Sequence, residues 1–130
     1  MKTQNYNEIA EKAVSESVQQ HRVVRWLEQR GHIFFAVPNG YKKSVFQQSQ
    51  AKREGLKAGV PDIIILTKAK NGEPTALEMK KYMGSGHRLP CKCIKESQLE
   101  WQTTLVGLHW NHVLAHGYDE AINDLIALGY

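Results

Sequence analysis

Apolar residues at Ile9, Ala13, Val14, Val18, Val23, Val24 and Leu27 recur at a spacing that places them on one side of a helix, predicting a helix from Asn7 to Arg30. Gly31 is a plausible residue to end it. The pattern then changes period. His32–Val37 is aromatic and β-branched and runs into Pro38-Asn39-Gly40, so a strand followed by a turn is expected. From Tyr41 to Gly59 the chain is polar, glutamine-rich and basic, which predicts a loop with a short helix.

Val60–Thr67 is nearly continuous and β-branched, Lys70-Asn71-Gly72-Glu73 has turn chemistry, and Pro74–Lys81 alternates. Together they predict a hairpin. In its second strand Ala76, Glu78 and Lys80 share one face, and Leu77 and Met79 take the other. Met83–Cys93 reads as a loop. Ser97 is the expected cap of a helix that contains Gln98, Trp101, Leu105 and Val106 and stops at Gly107. His109–Ala115 predicts a strand, and a last helix runs from the turn at Gly117 through Leu128. The order is helix, strand, loop, strand, strand, helix, strand, helix, without internal repeats. At 130 residues the chain has the length of a single domain, expected to cover 1–130.

The hairpin carries the candidate chemistry. Asp62 opens its first strand behind Pro61, and Glu78 lies late in the second, so antiparallel pairing brings the two carboxylates side by side. Lys80, two residues after Glu78, points to the same face. Two hard oxygen donors suit a divalent cation, and an ammonium beside them suits holding or deprotonating a water, as metal-assisted phosphodiester cleavage requires. Flanked by Leu77 and Met79, these charges sit on a partly buried surface, where each needs a partner or a metal.

A net charge of +4 and a sequence pI near 9.1 suit a polyanionic partner without specifying one. The longest apolar runs, Ile33–Val37 and Ile63–Leu66, are too short to span a bilayer, and Met1–Asn5 leads into a polar helix rather than a signal peptide. No membrane association and a cytoplasmic location are therefore expected. The two cysteines, Cys91 and Cys93, imply no disulfide framework. With His87, and with His109, His112 and His116, they do not reproduce the spacing of a structural zinc site, and His87, Arg88, Lys92 and Lys95 read as a second basic surface or a subunit contact.

Gly55-Leu56-Lys57-Ala58-Gly59-Val60-Pro61-Asp62, followed by Leu77-Glu78-Met79-Lys80 and then by Ser97-Gln98 with Trp101, resembles the VRR-NUC domains of the PD-(D/E)XK nuclease superfamily, over nearly the whole chain. The resemblance implies an α/β fold with a restriction-endonuclease-like core, a central mixed sheet flanked by helices. It also implies that Asp62, Glu78 and the main-chain carbonyl of Met79 bind Mg²⁺ or Mn²⁺ and that Lys80 orients or activates the water. Glu16, the best match among Glu8, Glu11 and Glu16, would add a carboxylate from the first helix, and Gln98 would support the site. Relatives with an extended glutamine motif place an aromatic residue four positions on, where this chain has Gln102, and Trp101 is one residue out of that register. Family members of this compact phage-encoded type are similar to homodimeric enzymes that cut branched DNA such as Holliday junctions.

Lys42, Lys43, Lys52, Arg53 and Lys57 precede Asp62 closely enough to flank the site and neutralise phosphates of bound DNA, with Tyr41 and Asn39 as further contacts. The expected function is a metal-dependent DNA endonuclease. A flap, single-strand or non-specific nuclease, or an idle nucleic-acid-binding module on the same fold, stands as the alternative.

Overall fold

A computed structural model of the chain describes residues 6–38, 44–84 and 94–130, with side chains described from residue 9 onward. Helix α1 spans Tyr6–Ala13 and helix α2 spans Glu16–Gln29, so the single helix expected from periodicity is two. Ser15 makes the break. Its extended backbone and its hydroxyl, which accepts from the Val18 N–H at 3.2 Å, start a new helix where the apolar spacing alone would continue the old one. Helix α2 buries Gln19, Val23, Trp26 and Leu27, spaced four, three and one apart, while Ile9 and Val18 of the expected stripe are exposed. Gly31, with φ +70°, lets the chain turn out of the helix without a Cβ penalty.

Strands β1 (Phe34–Ala36), β2 (Ile63–Ile65), β3 (Thr75–Lys80) and β4 (Asn111–His116) form one sheet in the order β1-β2-β3-β4. The first three run antiparallel, and β3 pairs with β4 in parallel, so the sheet is mixed. The predicted hairpin is β2–β3, in register Ile63 to Leu77 and Ile65 to Thr75. A parallel partner needs a crossover, supplied by helix α4 (Glu96–Gly107). Helix α3 (Val45–Arg53) lies between β1 and β2 in sequence, and helix α5 (Tyr118–Ala127) follows β4.

Period-two alternation sorts the sheet's side chains into two layers. Ile63, Ile65, Leu77, Met79, Val113 and Ala115 form the core with Val23 and Leu27 of α2 and Ala121, Ile122 and Leu125 of α5. Each large aliphatic buried in this way contributes about 1.5–3 kcal/mol. Ala76, Glu78 and Lys80 face the other side, towards α4, so every residue of β3 is buried although half of them are not core. Gln19 is the polar exception within α2. Its amide donates to Glu11 at 3.0 Å and accepts the Tyr118 N–H at 2.8 Å, joining α1, α2 and the start of α5.

Candidate functional site

The ends of β2 and β3 set Asp62 and Glu78 next to each other. Pro61, buried, brings the chain into β2, and the Asp62 carbonyl accepts the Val37 N–H at 2.8 Å. On its other side the Asp62 carboxylate accepts the Met79 N–H at 2.7 Å, replacing a backbone rung of the ladder with a side chain. Asp62 is thus fixed by both neighbouring strands.

Glu78 and Lys80 are 5% and 9% exposed, which removes both charges from water. Gln98, at the third position of α4, serves both. Its Oε1 accepts from Lys80 Nζ at 2.8 Å and its Nε2 donates to Glu78 Oε1 at 2.8 Å, while the Lys95 N–H also donates to Oε1 at 3.0 Å. Lys80 Nζ stands 3.8 Å from Glu78 Oε1. The other oxygen, Oε2, is buried without a hydrogen-bond partner among the described residues. Burial first, then the Asp62 charge, push the Glu78 carboxyl up to about 8, with Glu16 adding to the repulsion and Lys80 and Lys95 opposing it. The Glu16 carboxyl is also held above its usual range, by burial and by Asp62.

These groups line a cavity of about 710 Å³, walled by the first turn of α2 at Glu16, by α3 at Gln48 and Lys52, by the 56–60 loop and by the start of α4. The loop is pressed onto α4. A Cβ on Gly59, whose φ is +78°, would lie 2.5 Å from the Ser97 carbonyl carbon, and Trp101 Nε1 donates to the Ala58 carbonyl at 3.0 Å.

The donor set fits a hard divalent cation. An unpartnered buried carboxylate oxygen, a carboxyl held up by a neighbouring acid and a cavity in front of both are relieved together by a positive charge. Among the described residues no three carboxylate, imidazole or thiolate side chains close into a complete ligand group.

No family model matches the chain, and no curated protein matches it. The structure superposes on a solved VRR_NUC domain protein with a TM-score of 0.65 and 23% identity, over 89% of this chain and 91% of that one. The two chains share a fold. The mixed sheet and flanking helices expected for a restriction-endonuclease-like core are therefore present.

On this scaffold Asp62, Glu78, Lys80 and Gln98 converge, with Glu16 on the same cavity wall. The Met79 side chain is wholly buried in the core, and its N–H is the group that meets Asp62. Glu11 is committed elsewhere, bonded to Gln19 and to Arg22 at 3.0 Å, and these bonds hold its carboxyl below the usual range. Lys52 and Lys57 line the cavity, whereas Arg53 lies on α3 but not in the lining. Asn39, Tyr41, Lys42, Lys43, His87, Arg88, Cys91, Lys92 and Cys93 lie outside the described residues, as does the Glu8 side chain.

Two expectations need correction. Lys95, assigned by sequence to a second basic surface, lines this cavity and acts on Glu78. Ser97 is not the cap of α4, because Lys95 occupies that position and the Gln98 side chain closes the end. The Ser-x-x-Glu/Gln cue points to the wrong residue here, and the Gln98 side chain satisfies the exposed N–H of a non-capping lysine instead. Among the described histidines, His116 is buried with Nδ1 3.6 Å from Glu120, and His112 is half-buried.

Proposed function

We propose that the protein is a Mg²⁺- or Mn²⁺-dependent nuclease that hydrolyses phosphodiester bonds of DNA, as a structure-selective endonuclease. The observation that carries the reading is the Asp62–Glu78 pair on adjacent strand ends, with one buried oxygen unpartnered and Lys80 tethered beside it. A structural salt bridge would satisfy its carboxylate. Glu78 Oε2 has no such partner among the described residues.

In this reading Asp62 and Glu78, with the main-chain carbonyl of Met79 and with Glu16 further along the wall, hold the ion, and Gln98 supports them. A divalent ion bound there would supply Lewis-acid stabilisation of the charge that develops on the phosphate and would favour ionisation of an attacking water. The chain's own groups do the rest. Gln98 fixes the Lys80 ammonium and one Glu78 oxygen in a single geometry, which keeps the ammonium beside the carboxylates, where it would hold an attacking water. Lys52, Lys57 and Lys95 place positive charge around the acids, offsetting the repulsion that a phosphodiester meets on approach. Arg53 on α3 adds to that charge, and Lys42 and Lys43, by their place in the sequence, are further candidates for phosphate contacts.

The test is cleavage of plasmid, flap and four-way-junction DNA with Mg²⁺ or Mn²⁺ by wild type, Asp62→Ala and Lys80→Ala. Wild type is expected to cut, and both variants to lose activity by orders of magnitude. Equal activity in the variants would sink the reading by removing Asp62 and Lys80 from the chemistry, and none in wild type would leave an idle binding module. A homodimeric Holliday junction resolvase further requires paired symmetric nicks across the junction and a dimer's mass in solution, because two sites must act on two strands. A monomer that cuts flaps or single strands would favour the simpler nuclease.

A further inference from the structure

Helix α3 stands beside the site and contributes almost nothing to the core. Ala51 is its one buried residue. Nine residues are too few for a helix to persist on propensity alone, and its start is closed locally: Ser44 Oγ accepts the Gln47 N–H at 3.2 Å and Gln47 Oε1 accepts the Ser44 N–H at 3.0 Å. At that capped end two large apolar side chains face water, Val45 at 81% and Phe46 at 72% exposed. From Val45 to Arg53 there is no carboxylate: beyond Val45 and Phe46 the helix holds three glutamines, Ser49, Ala51, Lys52 and Arg53.

The helical repeat arranges these residues in two stripes. Gln48 and Lys52 wall the cavity, with Val45 ahead of them on the same helical row but outside the lining, and Phe46 and Arg53, seven apart, lie on the outward side. A protein partner or a second copy seated on the first stripe would close the wall through which a phosphodiester reaches Asp62 and Glu78. A nucleic-acid strand running into the cavity would instead follow it, with phosphates near Lys52 and Arg53 and a base within reach of the exposed ring. In an intact duplex both faces of a base are taken by its neighbours, so only an unpaired or terminal base is free to stack on Phe46.

We infer that α3 is a nucleic-acid-contacting helix and that Phe46 stacks on an unpaired nucleotide flanking the bond to be cut, which makes Phe46 a determinant of preference for branched or single-stranded segments. The inference rests on the nuclease reading above and is tested apart from it. Binding of two labelled oligonucleotides, a blunt duplex and the same duplex with an unpaired arm carrying 2-aminopurine, is measured in EDTA at low salt, where no cleavage occurs. Wild type should bind the armed form more tightly and quench 2-aminopurine. Phe46→Ala should lose roughly ten-fold on the armed form, the scale of one stacked base, and keep its affinity for the blunt duplex. Phe46→Trp should restore both affinity and quenching, and Lys52→Ala should weaken the two forms alike. The ring is exposed, so Phe46→Ala should melt like wild type.

Equal losses on both oligonucleotides, no loss on either, or a fall in solution mass in Phe46→Ala would overturn the inference, the last by showing that the apolar end meets a second copy. If wild type cleaves DNA but Phe46→Ala discriminates as wild type does, only this inference falls. If wild type binds neither oligonucleotide, the nuclease reading falls with it.

Discussion

Replacing Glu78 by glutamine should make the protein more stable and inactive at once, in a way that pH exposes. The Glu78 carboxyl is held at about 8, against 4.5 for a free glutamate, by burial and by Asp62. An acid whose folded value is raised keeps its proton in the folded chain while the unfolded chain gives it up. Stability is therefore lost as pH rises from about 4.5 to about 8, at roughly 1.4 kcal/mol per unit. Wild type thus carries a penalty that is under about 1 kcal/mol at about pH 5 and reaches several kcal/mol above pH 8 or so, with roughly 5 kcal/mol as the ceiling for this group alone. Glutamine is nearly isosteric, keeps an acceptor for Gln98 Nε2, and titrates nowhere in this range. Its buried amide nitrogen replaces an oxygen that is already unpartnered, so the two proteins should have similar stability in acid. Because Asp62, Glu16, Lys80 and Lys95 readjust around a neutral residue, a net advantage of about 3 kcal/mol for Glu78→Gln in alkali is expected, or about 10 °C in melting temperature for a chain of this size. Thermal melts of both proteins in EDTA at about pH 5 and about pH 9 measure it. Adding Mn²⁺ at the higher pH should raise the melting temperature of wild type and leave that of the variant unchanged. A gap that does not widen with pH, or a wild type more stable than the variant throughout, would refute the idea that Glu78 is a charge held at the expense of the fold.

Gly59→Ala forces a left-handed residue to carry a Cβ and drives it to 2.5 Å from the Ser97 backbone, so a loss of at least about 2 kcal/mol is expected. Differential scanning calorimetry checks it, and an unchanged melting temperature would mean that the 56–60 loop is not clamped to α4. Trp101→Phe keeps a ring but removes the donor to Ala58, and urea denaturation should show a cost of about 1 kcal/mol. Lys57→Ala should weaken DNA binding uniformly across sequences and lower the slope of log affinity against log salt by about 0.7–0.9, read from titrations at several ionic strengths; an unchanged slope would remove Lys57 from the phosphate contacts.

The hairpin was legible because its signals are local. A β-branched run, a turn around Gly72 and an alternating strand suffice to pair Ile63 with Leu77, and that register alone delivers Asp62 to Glu78. The mixed sheet follows from the order of elements, since a helix between β3 and β4 permits a parallel partner. What sequence reading missed depends on groups far apart in the chain. Gln19 replaces Val18 on the buried side of α2 because the Tyr118 N–H, 99 residues away, needs an acceptor there. Trp101 looks out of register until its partner proves to be a carbonyl 43 residues earlier. Lys95 reads as one more surface lysine, and only the packing of α4 against β3 brings it to Glu78. The break at Ser15 had a local signal, a serine followed by glutamate at the head of a new apolar stripe, but the stripe on its two sides overlaps enough to hide it.

Under the proposed nuclease function, Asp62 acts through its charge on a bound cation rather than through the fold. The most direct measurement is the Mn²⁺-dependent rate of DNA cleavage by wild type and by Asp62→Asn, whose side-chain oxygen can still accept the Met79 N–H. The account predicts cleavage by wild type that vanishes in EDTA, and a variant that melts at no lower temperature but cuts orders of magnitude more slowly. An asparagine variant that cuts as fast as wild type, or a wild type equally active in EDTA, would contradict it.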